Sequence, residues 1–319
     1  MADLLEQVAS LRATERRVAM ATLIAARGGS PRPLGAKLFV GEGGRLLGSV
    51  SIGGCVDARV VEHGERLLRE NRTECVTVTV DDSEALELGL ACGAEFDLVI
   101  GPVRLDGDDD TLAVYERAMA HARAGRTAFV ITHLRDLPRR EVRESAPDAG
   151  PGVFVERLTP PDTLVLVGAS DVGAALSRFA RMLGFRVVVV DGRERYATRE
   201  RFASADDIRV GMPSELVRPL LDDGAFVVLA SHEYKYDLPI LRDVLRSPVR
   251  FVGMLAGRKR AAAVRALLRE DGLTEAEIAR LHAPIGLDIG GREPEEIALS
   301  IAAQLVAVRE GKAIARRES

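Results

Sequence analysis

The chain has no tryptophan, and aromatic residues make up 4% of its 319 positions, so its core must be built from Val, Leu, Ile and Ala. Its three cysteines, Cys55, Cys75 and Cys92, are too few and too odd in number for a disulfide framework. No apolar run approaches the roughly 18 residues a membrane span needs. The opening MADLLEQVASLRATERR lacks the apolar stretch of a secretory signal. Neither sign of charge is in large excess. Forty-four basic against 48 acidic residues leave −4, which argues against a general nucleic-acid-binding surface. There is no HExxH, no CxxC pair and no EF-hand run, and Gly35-Ala36-Lys37 lacks the ending of a Walker A loop. What remains, 47% hydrophobic and 29% charged residues, is ordinary globular usage, long enough for two domains. The expectation is a cytoplasmic protein with neither a membrane nor a nucleic-acid partner.

From Pro160-Pro161 onward, short apolar runs alternate with helical spacing. Residues 163–167 (TLVLV), 186–190 (RVVVV), 225–230 (AFVVLA) and 250–254 (RFVGM) read as buried strands. Residues 174–183, 238–245, 258–270 and 294–309 read as the helices between them and after them. That alternation implies right-handed crossovers and a parallel sheet covered on both faces, a Rossmann-like domain over 161–319. The first half has another rhythm. A leading helix is expected at 4–16, and strands at 18–26, 37–40, 45–50, 75–80, 96–100 and 127–132. Gly41-Glu42-Gly43-Gly44 signals a hairpin, and 56–70 and 112–124 have helical spacing. These features predict an α/β fold with a mixed-sheet domain over 1–134, while the charged, proline-bearing stretch 135–160 reads as a linker.

Gly168-Ala169-Ser170-Asp171-Val172-Gly173 follows a strand and opens a helix, as a dinucleotide fingerprint does. The first glycine permits a sharp turn, the last permits close helix–strand packing, and amides at the helix start can hold an anion. Asp191, at the end of the second strand, stands where an acid accepts hydrogen bonds from a ribose. Ser170 occupies the middle glycine's place and crowds the position of a diphosphate. Two readings stay open: a nucleotide or dinucleotide site, or glycines that serve packing alone. His232-Glu233-x-Lys235-x-Asp237 reads as a polar surface loop near the switch point. Arg258-Lys259-Arg260 opens a helix, a place unfavourable to cations unless they meet an anion.

Cys55 closes Gly48-Ser49-Val50-Ser51-Ile52-Gly53-Gly54-Cys55 just before a helix. A thiol there meets unpaired N–H groups and the positive end of the helix dipole, which favours thiolate. Gly53 and Gly54 keep side chains away from the sulfur and leave amides exposed. Cys92 lies in a second glycine-flanked loop, Gly89-Leu90-Ala91-Cys92-Gly93, whereas Cys75 in an alternating strand reads as a small buried hydrophobe.

The stretches Gly29-Ser30-Pro31-Arg32-Pro33-Leu34-Gly35-Ala36-Lys37 and Gly48 to Asp57 resemble the xanthine dehydrogenase accessory family, the XdhC/CoxI-type proteins of molybdenum hydroxylase maturation. The resemblance continues at 89–93, at 187–193 (VVVVDGR), at 251–259 and at 285–301 (IGLDIGGREPEEIALSI). It implies a non-catalytic chaperone that binds molybdenum cofactor, a molybdopterin, and protects it while an oxo ligand is exchanged for a sulfido ligand. The chaperone then delivers the cofactor to an apo molybdenum hydroxylase, with a cysteine desulfurase-type protein as sulfur donor. Cys55 would then ligate the metal or carry a persulfide, with Cys92 beside it. Gly53 and Gly54, with Arg32 and Lys37, would hold the pterin's phosphate. Gly168, Ser170, Gly173 and Asp191 would bind a nucleotide, or that half would serve as a docking surface. The competing reading is an NAD(P)-dependent oxidoreductase with a reactive cysteine, and a monomer and a homodimer both stay open.

Overall fold

The computed structural model describes residues 8, 10–28, 32–51, 56–80, 94–107, 109–135, 137–148, 150–231 and 234–312. It divides into two compact units, Met1–Pro160 and Pro161–Ser319. No helix among the described residues is long and apolar enough to cross a membrane.

In the first unit, β1 (Arg17–Gly28), β2 (Lys37–Gly41), β3 (Leu46–Gly48), α1 (Asp57–Glu70), β4 (Glu74–Val80) and β5 (Ala94–Arg104) come first in the chain. The strands form a sheet in the order β3-β2-β1-β5-β4, with each of these pairs antiparallel. α1 lays Val60, Leu67 and Leu68 on one face, against Ala19, Ala21, Leu23 and Val40. The opposite face carries Val18, Met20 and Phe39. It packs with α2 (Asp110–Arg123) and with a second antiparallel sheet. Because β1 is buried on both faces, it reads as a continuous apolar run rather than an alternation.

The second sheet, in the order β7-β6-β8, consists of β6 (Ala128–His133), β7 (Arg139–Arg143) and β8 (Val153–Leu158). Much of the stretch expected to be a linker is therefore sheet. β7 escapes a pattern reading because its sequence is RREVR, a charged strand at the edge of its sheet. Arg143 meets Glu141 at 2.7 Å, and His133 meets it at 3.2 Å from the neighbouring strand.

The second unit is a doubly wound parallel sheet. Its elements are β9 (Thr163–Val167), α3 (Asp171–Met182), β10 (Arg186–Asp191), β11 (Asp207–Val210), α4 (Pro213–Val217), β12 (Ala225–Leu229), α5 (Tyr234–Arg246), β13 (Phe251–Met254), α6 (Arg258–Glu270), α7 (Glu275–Ala279), β14 (Leu281–His282) and α8 (Pro294–Arg309). The strand order is β11-β10-β9-β12-β13-β14, all pairs parallel. Leu164, Leu166, Val187 and Val189 turn to the face covered by α3 and α8. Val165, Val167, Val188 and Val190 turn to the face covered by α5 and α6. The order reverses between β9 and β12, where open sheets of this kind leave a crevice at their carboxyl ends.

The core of the first unit encloses an ion pair. Lys37, at the start of β2, points to the α2 side. Its Nζ donates to Glu156 Oε1 at 2.5 Å and to Gly35 O at 3.0 Å, with the two charged side chains 7% and 6% exposed. The Tyr115 hydroxyl donates to Glu156 Oε2 at 2.5 Å, and the lysine ammonium lies 4.6 Å from that ring's centre. Burial pushes the lysine's pKa down against the pull of Glu156. Burial and Glu156 together push the Tyr115 phenol well up, so it stays a donor. Removing one partner leaves an uncompensated buried charge, so Lys37→Met is expected to cost about 3 kcal/mol of stability. Lys37→Met combined with Glu156→Gln, which keeps an acceptor for Tyr115, is expected to recover most of that loss. Urea denaturation followed by circular dichroism checks both variants.

Candidate functional site

The turn after β9 is shaped by backbone constraints before any ligand is considered. Gly168 has φ +102°, and a Cβ there would stand 2.7 Å from Ser231 N, so the approach of the β12–α5 turn requires glycine. Ser170 is the N-cap of α3, its Oγ accepting from Gly173 N at 3.1 Å. At Gly173 a Cβ would lie 3.1 Å from Gly168 O, so this glycine lets the helix close on the strand. Above the turn opens a cavity of about 370 Å³, whose walls include Ser170, Asp191, Arg193, Tyr196, Arg201 and Ser231. It sits at the switch point of the sheet, the usual place for a ligand in this architecture.

Asp191 closes the far side of the turn and is 4% exposed. Its Oδ2 accepts from Ala169 N at 2.6 Å and from Arg193 Nη2 at 2.9 Å. Its Oδ1 accepts from Arg193 N at 2.8 Å and Arg193 Nε at 3.0 Å. Burial alone would raise the carboxyl's pKa, but the hydrogen bonds from Arg193 and from the Ala169 and Arg193 amides hold it below the ordinary aspartate value. The Arg193 guanidinium also stacks on Tyr196, 4.4 Å from the ring centre. Arg201 approaches the same ring at 5.7 Å. It donates to Ala169 O at 2.9 Å and to Asp171 Oδ1 at 2.7 Å.

The third wall holds a hydroxyl on a buried charge. Ser231 Oγ donates to Asp237 Oδ1, and Asp237, with no exposure, receives Arg260 Nη2 at 2.5 Å. Asp237 is therefore not part of an exposed polar loop, as its sequence neighbourhood suggests. Arg260 finds there the anion that a cation at a helix start needs. With its proton committed to Asp237, Ser231 can only accept from a group in the cavity.

Three of the predicted residues, Gly168, Ser170 and Asp191, come together at this cavity, and Gly173 supports the turn from below. Arg32 is exposed in the first unit. Lys37 corrects its expectation: its amine is enclosed and held by Glu156, so it does not face outward to a phosphate. Cys75 is exposed rather than buried, because the alternation of β4 turns Val76, Val78 and Val80 inward and the cysteine outward. Cys55, Gly53, Gly54 and Cys92 lie outside the described residues, as do His232 and Glu233. The flanks of the Cys55 loop are described. Ser51 Oγ donates to Asp57 Oδ1 at 3.0 Å, and the N-cap of α1, Val56, makes no side-chain capping bond. Among the described residues, no group of three His, Cys, Asp or Glu could hold a metal ion. Pattern reading missed Arg193, Tyr196, Arg201 and Ser231. The available signal was the arginine-rich run after Asp191, in which Arg193, Arg195, Arg199 and Arg201 recur within nine residues.

Two family models match the chain, the XdhC and CoxI family over residues 11–81 and the XdhC Rossmann domain over residues 164–305. The chain is 23% identical to a probable xanthine dehydrogenase subunit of Bacillus subtilis (strain 168), covering 94% of this chain and 96% of that one. It is 24% identical to the molybdenum cofactor insertion chaperone PaoD of Escherichia coli (strain K12), covering 91% and 83%. Among solved structures it is similar to a xanthine dehydrogenase from Bacillus halodurans, with TM-score 0.80 and 26% identity over 97% and 96% of the two chains.

The four donors on Asp191 make it a support for the turn. Asp191→Asn is expected to destabilise the second unit by about 2 kcal/mol near neutral pH, the usual scale for charged hydrogen bonds. Because the folded pKa is lowered, the wild-type advantage is full above the ordinary value of 3.8 and is lost as pH falls through the folded value. Urea titrations of both proteins at several pH values check the size and the direction.

Proposed function

The chain belongs to the XdhC and CoxI family, and on that premise we propose that it is an accessory protein of molybdenum-enzyme maturation. It holds molybdenum cofactor as cargo while an oxo ligand is exchanged for a sulfido ligand, and it delivers the product to an apo molybdenum hydroxylase. A cysteine desulfurase-type protein supplies the sulfur. The observation that carries this reading is the likeness, over most of both chains, to the molybdenum cofactor insertion chaperone PaoD.

Cys55 is the residue assigned to the metal. Molybdenum is thiophilic, Cys55 immediately precedes Val56 in sequence, and Val56, the N-cap of α1, offers the first-turn N–H groups no side-chain acceptor. The positive end of the helix favours thiolate at that place. Gly53 and Gly54 supply amides, exposed Arg32 supplies a guanidinium for the phosphate, and Cys92 supplies a second sulfur. In the second unit, the cavity over the glycine turn takes a nucleotide or dinucleotide. Its place at the strand-order reversal and the match to the XdhC Rossmann domain support that assignment.

Anaerobic purification with metal and pterin analysis tests the carrier role. Wild type is expected to retain molybdenum and pterin, and Cys55→Ala to lose most of both while its thermal melting is unchanged. Equal retention by the two proteins would remove Cys55 from the role, and no retention by either would remove the carrier reading.

A further inference from the structure

A ribose with a free diol is recognised by an acid that has acceptor sites to spare, because both hydroxyls act as donors to it. Asp191 stands where such an acid stands, but its oxygens are taken. A carboxylate offers about four lone-pair sites, and Asp191 already receives Ala169 N, Arg193 N, Arg193 Nε and Arg193 Nη2. At 4% exposure it shows almost nothing to the cavity. What stands at the surface in its place is Arg193, its side chain 46% exposed and braced by Tyr196, itself 49% exposed. The polarity of this wall is inverted: where a diol needs acceptors, the protein presents a donor cation. A group welcomed there must itself be an acceptor, and an anion best of all.

The charged side chains that line the cavity balance, Arg193 and Arg201 against Asp171 and Asp191, and residues 193–201 carry four arginines against two glutamates. The carboxylate beneath does not repel an incoming anion strongly, because Arg193 and two backbone amides already compensate it.

We propose that this cavity selects a nucleotide whose ribose carries a phosphate over one whose ribose diol is free, with Arg193 as the specificity-determining residue and Tyr196 as its brace. This rests on the nucleotide reading of the cavity given above. The carrier role of the first unit is read separately, from metal and pterin content.

The test is calorimetric titration of the full chain with adenosine 2′,5′-bisphosphate and with adenosine 5′-monophosphate, which differ only in the 2′ group. Wild type is expected to bind the bisphosphate at least about tenfold tighter, as a guanidinium–phosphate contact allows. Arg193→Ala is expected to bring the ratio close to one, with folding checked by thermal melting. If that variant does not fold, Arg193→Lys keeps a charge but loses the planar fork and the ring stacking, and its ratio must still fall. Equal wild-type affinities, or tighter binding of the monophosphate, overturn the inference and leave the nucleotide reading standing. Binding of neither compound overturns both. A preference that survives in the Arg193 variants overturns the assignment of Arg193 as its reader.

Discussion

The site in the second unit is organised by one buried carboxylate. Asp191 joins two segments that sequence keeps apart, the turn after β9 through Ala169 and the segment after β10 through Arg193. Each bond supports the others, since a carboxylate with its lone pairs engaged has one orientation and charged hydrogen bonds strengthen in a desolvated place. With Asp191 fixed, Arg193 is fixed above it, and Tyr196 finds a flat cation to lie against. Arg201 then ties the same turn from its other side through the Ala169 carbonyl. The cavity walls are thus positioned by the protein itself, which is the condition for discriminating between ligands.

Much of this unit was legible in sequence because parallel strands buried on both faces appear as unbroken apolar runs. TLVLV, RVVVVD and AFVVL are β9, β10 and β12 almost to the residue. β11, with the sequence DIRV at the edge of the sheet, has no such run and was not found. The positions of Gly168 and Asp191 were legible too, yet the state of Asp191 was not. An acid at a strand end looks the same in sequence whether its oxygens are open or filled, and only the geometry of Arg193 decides it. Glu156 shows the same limit in the first unit. Its sequence surroundings suggest an exposed charge in a linker, while its partner Lys37 stands 119 residues away. The cysteine loops carried the sharpest motif, but a motif cannot supply the contacts around a sulfur.

Both units bury an ion pair where apolar side chains of equal volume would fill the space. Such pairs are weak sources of stability, because desolvation offsets most of the attraction. Their value is positional. Lys37 and Glu156 hold Tyr115, the Gly35 carbonyl and the start of β2 in one arrangement. Asp237 and Arg260 hold the Ser231 hydroxyl with its proton turned away from the cavity. In the second case the consequence reaches the cavity: Ser231 can only accept hydrogen bonds there, while Arg193, which lines the same cavity, donates them. A molecule seated between them must carry a donor toward Ser231 and an acceptor toward Arg193.

Ser170 explains why selectivity moves out to Arg193. A glycine at the middle of the fingerprint lets a diphosphate come against the backbone and use the first-turn amides. Here the serine side chain has already accepted the Gly173 amide. Asp171 puts a carboxylate at the first position of α3, 81% exposed and paired with Arg201. Capping contributes about 1 kcal/mol to the helix, and an acidic first turn suits the dipole, so local stability favours both residues. The same two choices weaken the helix start as a seat for an incoming anion, since one amide is occupied and a negative charge stands beside the rest. A ligand in this cavity therefore has less to gain at the glycine turn than a dinucleotide usually does, and correspondingly more from the arginines that follow β10.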